Sequence, residues 1–87
     1  MAEPQTSDSV RAALILRLPS PEYVGVVDIS GGCGASFQCV VVCAAFEGTA
    51  LLARQSMVNG ALKAELENIH ALQMKTWTPT QWIAKGR

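Results

Sequence analysis

Ser36-Phe37-Gln38-Cys39-Val40-Val41-Val42-Cys43-Ala44 is a short, apolar stretch rich in β-branched residues, and such a run reads as a largely buried strand. Phe37, Cys39, Val41 and Cys43 recur at every second position, so they share one face. Cys39 and Cys43 are therefore assigned to the core as small apolar side chains. Upstream, Glu22-Tyr23-Val24-Gly25-Val26-Val27-Asp28-Ile29-Ser30 reads as a partner strand, with Gly25 expected to mark a bulge. The connection Ser30-Gly31-Gly32-Cys33-Gly34-Ala35 is too long and too glycine-rich for a two-residue hairpin. It is expected to be a mobile loop that presents Cys33 at its tip.

Outward from this hairpin, Val10, Ala13, Leu14 and Leu18 form one stripe of a 3.6 period within Ser9–Leu18, and Thr6-Ser7-Asp8 supplies cap oxygens and a negative charge at its start. Pro19-Ser20-Pro21 stops that helix. Phe46-Glu47-Gly48 is a turn, and Leu51, Leu52, Val58, Leu62 and Leu66 suit a helix, or a short turn followed by one. Asn59-Gly60 lacks the alternating flanks of a hairpin. Ile69 to Trp77 reads as a third strand, and Thr78-Pro79 opens a last short helix, the threonine as cap and the proline at its first position. The order α-β-β-α-β-α implies an α+β fold: a three-stranded sheet covered by helices on one face. Residues 1–5 are expected to be a flexible N-terminus and residues 6–87 a single domain.

Composition narrows the function. The chain has 87 residues, 49% apolar and 16% charged, the balance of an ordinary globular chain with one modest core. No apolar run approaches the roughly 18 residues of a membrane span. Seven basic residues balance seven acidic ones, which removes the long-range field that draws in a polyanion. Cys33, Cys39 and Cys43 are odd in number and clustered; they read as free thiols in a reducing compartment rather than a disulfide framework. The first residues lack the features of a signal or transit peptide, so a cytoplasmic location is expected, with the nucleus as a second one. There is no nucleophile elbow, no phosphate loop and no C-x-x-C, so no enzyme activity is expected.

The residues Phe46-Glu47-Gly48, Leu51-Leu52-Ala53-Arg54, Val58-Asn59, Glu65-Leu66, Ile69-His70-Ala71-Leu72 and Lys75-Thr76-Trp77-Thr78-Pro79-Thr80-Gln81-Trp82 together resemble the BolA-like pattern, from about Glu22 to Trp82. The resemblance implies a fold similar to the class II KH domain. It also implies a role in iron–sulfur cluster trafficking or iron sensing, as partner of a monothiol glutaredoxin. In such proteins the loop between the first two strands carries a histidine or a cysteine that, with the histidine of the Ile-His-Ala-Leu segment, can hold a [2Fe–2S] cluster. Here those positions are Cys33 and His70. The glutaredoxin is expected to supply its active-site cysteine and a bound glutathione thiolate; alone, the chain is expected to be a monomer without a cluster. A loop cysteine looks more like the cytosolic branch. Two departures stand out: Arg54-Gln55-Ser56 where the family commonly shows Arg-His-Arg, and Thr49 in place of a lysine.

Without the resemblance, Cys33 reads first as a loop thiol and His70 first as a hydrogen-bonded residue at the core edge. Trp77 and Trp82 fit either an exposed partner-binding pair or packing of the last helix on the sheet. The alternative function is a KH-like nucleic-acid-binding transcription regulator. Gly31-x-x-Gly34 matches the KH clamp in form, but it joins two strands and contains no basic residue. Neutral charge favours the glutaredoxin partner over nucleic acid.

Overall fold

The structure, a computed structural model, describes residues 5–31 and 35–85; the expected loop tip with Cys33, and residues 1–4 of the expected N-terminal tail, lie outside them. Helix α1 (Ser7–Arg17) starts on a capping box, in which Thr6 Oγ1 accepts from the Ser9 N–H at 3.0 Å and Ser9 Oγ accepts from the Thr6 N–H at 2.8 Å. Ser9 Oγ also donates to the Gln5 side chain at 2.8 Å. The whole stripe Val10, Ala13, Leu14 and Leu18 is buried.

Strands β1 (Pro21–Asp28) and β2 (Ser36–Cys43) pair antiparallel, as a hairpin must. Strand β3 (Ala71–Trp77) then joins the other edge of β2 in parallel, giving the order β1-β2-β3. A parallel neighbour needs a crossover. It is made by a 3-10 turn (Ala44–Phe46), helix α2 (Leu51–Ala61) and helix α3 (Lys63–Leu66). The central position of β2 explains its apolar sequence: Phe37, Cys39, Val41 and Cys43 are each 0% exposed beneath α1 and α2. The α+β class and three-stranded sheet expected from the sequence are observed, and helix α4 (Pro79–Ala84) begins on the expected Thr78 cap and Pro79. The expectation that all helices cover one face is not met, because Trp82 carries α4 onto the opposite face, over Tyr23 and Trp77.

Three details differ. Gly25 is not a bulge: it pairs in register with Val40, and the irregularity lies between Pro21 and Tyr23. The glycine answers a different need, since a Cβ there would stand 2.8 Å from the Tyr23 hydroxyl, whose ring lies over it. Leu51 and Leu52 are 57% and 78% exposed, whereas Val58 and Leu62 are 0% exposed. Leu51 shares a helical face with Val58, but periodicity identifies the face and not how far along the helix the core extends. Leu62, with φ −103° and ψ 14°, breaks the predicted helix into α2 and α3, while Gly60 stays helical.

A second, smaller apolar cluster lies on the opposite face of the sheet. Tyr23, Val42 and Trp77 form one cross-strand row, and Trp82 of α4 stacks on Tyr23 at 5.4 Å and tilts against Trp77 at 6.2 Å. Val42 is 1% exposed beneath them. Of the two readings of the tryptophans, packing of the last helix on the sheet is the one observed. No helix among the described residues is long and apolar enough to cross a membrane.

Replacing Leu62 by alanine should lower the unfolding free energy by about 2–5 kcal/mol, while replacing Leu52 should change it by less than about 0.5 kcal/mol. Urea denaturation of the two variants checks this; equal losses would mean that α2 is seated differently.

Candidate functional site

The two ends of the β1–β2 connection are fastened by a compact set of hydrogen bonds. The Ile29 N–H donates to the Ser36 carbonyl at 2.8 Å. Ser30 Oγ accepts from the Ser36 N–H at 3.0 Å and donates back to the Ser36 carbonyl at 3.4 Å. The Ser30 N–H in turn donates to Asp28 Oδ1 at 2.9 Å. Hydrogen bonding by Ser30 holds the Asp28 carboxyl below the usual carboxylate range.

His70 meets this neck directly. It is the residue just before β3, and its N–H donates to the Ala35 carbonyl at 2.6 Å, an acceptor shared with the Ala71 N–H at 3.3 Å. The His70 residue is exposed. The structure therefore brings His70 to the downstream end of the loop that carries Cys33. Cys33 itself lies outside the described residues. Among those residues, no three His, Cys, Asp or Glu side chains gather in a way that could hold a metal ion.

The other two cysteines are inside the protein, as expected. Burial pushes the Cys39 thiol up from 9.0 to about 11, and Cys43 Sγ donates to the Pro19 carbonyl at 2.6 Å. Neither sulfur reaches solvent, where a metal or a disulfide would meet it.

Several residues of the motif serve the architecture instead. Arg54 Nε donates to the Thr49 carbonyl at 2.8 Å and Arg54 Nη1 to the Gln81 side chain at 3.0 Å, with its guanidinium 6.0 Å from the centre of the Phe46 ring. Glu47 accepts from the Thr80 hydroxyl at 2.9 Å. These contacts tie the turn before α2 to α4. Sequence reasoning missed the Asp28–Ser30–Ser36 neck, although an Asp two residues before a Ser at a strand end was a signal for a local side-chain turn.

Comparison with known proteins follows the same residues. The family model described as BolA-like protein matches residues 18–81. The chain is 50% identical to Protein BOLA2 of Arabidopsis thaliana over 78 residues, covering 88% of this chain and 83% of that protein. It is 48% identical to human BolA-like protein 2 over 62 residues, covering 70% and 72%. The crystal structure of a bol-like protein from Babesia bovis superposes with a TM-score of 0.89 at 44% identity, covering both chains completely.

Because the folded Cys39 thiol has a pKa above its unfolded value, its contribution to stability is intact below about pH 9 and is lost as pH rises toward about 11. Unfolding measured across that range should show this loss, and Cys39→Ala should flatten it. At pH 8 the native protein should leave Cys39 unmodified by iodoacetamide, and urea should expose it. Rapid native alkylation of Cys39 would contradict its burial.

Proposed function

The chain belongs to the BolA-like family, and from that premise we propose that it is a non-catalytic accessory protein that pairs with a monothiol glutaredoxin around a shared [2Fe–2S] cluster, in iron–sulfur trafficking or iron sensing. Cys33 and His70 are the residues it would contribute, and the glutaredoxin cysteine and a glutathione thiolate would complete the set. The cytoplasm is the proposed compartment.

The observation that carries the reading is the bond from the His70 N–H to the Ala35 carbonyl. Cys33 stands two residues before Ala35 in the chain, and two residues of chain reach at most about 7 Å. An exposed histidine thus stands beside the residue that follows Cys33 by two positions in the chain. The donor types suit the group: a two-iron cluster takes thiolate ligands and accepts imidazole, which raises its potential. The chain's own residues do three things here. The bond to the Ala35 carbonyl, at the start of the β2–β3 ladder, holds the backbone of His70, the loop would supply a thiol, and the core keeps Cys39 and Cys43 from competing. A [2Fe–2S] cluster would need four ligands beyond its bridging sulfides, and this chain offers two, which is why a partner enters the proposal. The even charge balance supports a protein partner over nucleic acid.

Titration into a monothiol glutaredoxin carrying its cluster, followed by visible absorption and circular dichroism, tests the proposal. A new spectrum should appear with the wild-type chain. His70→Ala should alter it and Cys33→Ala should weaken it further, while the folded double variant Cys39→Ser/Cys43→Ser should reproduce the wild type. Wild-type spectra from both the His70 and Cys33 variants would sink the assignment.

A further inference from the structure

The Ser30 side chain bridges the two ends of the described neck: its hydroxyl accepts from the Ser36 N–H at 3.0 Å and donates to the Ser36 carbonyl at 3.4 Å. Its own N–H is held by Asp28 at 2.9 Å, which anchors the Ser30 backbone at the end of β1. Ser36 opens β2, and its peptide nitrogen belongs to the same peptide unit as the Ala35 carbonyl. That carbonyl is the acceptor for both His70 and Ala71. A continuous set of bonds therefore runs from Asp28 through Ser30 and the Ala35–Ser36 peptide to the backbone of His70.

We infer that Ser30 is a positioning residue for His70: by fixing the plane of the Ala35–Ser36 peptide, it sets where the imidazole is presented at the end of β3. The inference rests on the proposed function for its consequence, since a correctly presented imidazole matters there because it meets the glutaredoxin-held cluster. A peptide plane held on both its N–H and its C=O sides cannot rotate freely. One whose N–H has lost its acceptor is held from the carbonyl side alone. Ser30 itself touches no cluster in this account. It acts through two hydrogen bonds and one peptide. Threonine keeps the hydroxyl, and alanine removes it.

The test compares Ser30→Ala, Ser30→Thr and His70→Ala with the wild-type chain in two measurements. Amide hydrogen exchange on the free protein reads the His70 and Ala71 N–H groups against those of Val40 to Val42 in the middle of β2. Visible circular dichroism reads the mixed complex with a cluster-loaded monothiol glutaredoxin and glutathione. Ser30→Ala should speed exchange at His70 and Ala71 by about tenfold while leaving Val40 to Val42 unchanged, and it should shift the dichroism in the direction of His70→Ala; Ser30→Thr should restore both. A uniform acceleration across β2 would show a merely structural serine and overturn the inference. So would exchange at His70 and Ala71 that matches the wild type, or altered exchange with wild-type dichroism in a chain where His70→Ala does change the spectrum. If His70→Ala itself leaves the dichroism unchanged, the cluster reading fails, and the exchange data alone then decide whether Ser30 positions His70.

Discussion

The pairing of β2 on both of its edges is the constraint on which the rest of the structure depends. With β1 antiparallel on one side and β3 parallel on the other, β2 must bury one whole face, and Phe37, Cys39, Val41 and Cys43 supply it. Parallel pairing forces the chain to cross over the sheet before β3 can start. That crossover is α2 and α3, which close the core with Val58, Ala61 and Leu62. It also returns the chain to the N-terminal end of β2, where His70 and Ala71 meet the Ala35 carbonyl.

The candidate site is a by-product of that return. β2 runs away from its connection to β1, and a parallel β3 starts at the same end as β2, so the residue before β3 necessarily lies beside the end of the β1–β2 loop. A histidine there is placed by topology and tuned by local bonds. The opposite end of the sheet is built differently: Tyr23, Trp77 and Trp82 cover Val42, and the Glu47–Thr80 and Arg54–Gln81 contacts hold α4 in place. Much of the family's sequence signature therefore serves the far end of the sheet, while the proposed chemistry sits at the near end.

Most of the element order was legible because each signal had a local cause. Thr6 and Thr78 are side chains whose oxygens cap a helix at their own position, and the stripe Val10, Ala13, Leu14 and Leu18 is a face in any helix of that length. What could not be read depended on partners distant in sequence. Gly25 looked like a bulge because its reason is the Tyr23 ring above it, and Leu51 looked like core because spacing carries no information on where the sheet's cover ends. The juxtaposition of His70 with the loop came to the sequence reading only through the family resemblance, since no local rule links positions 37 apart in the chain. The Ser30 neck was within reach of local rules and went unread.

The central claim is that the imidazole of this chain binds iron in a mixed complex with a monothiol glutaredoxin. His70 is the one histidine of the chain, so supplying nitrogen-15 histidine to this protein alone labels a single imidazole. Pulsed electron paramagnetic resonance of the reduced mixed complex then reads that nitrogen directly. The account predicts a strong nitrogen-15 hyperfine coupling of the size given by a directly bound imidazole. A spectrum with no such coupling, from a complex that demonstrably holds its cluster and this chain together, would contradict it.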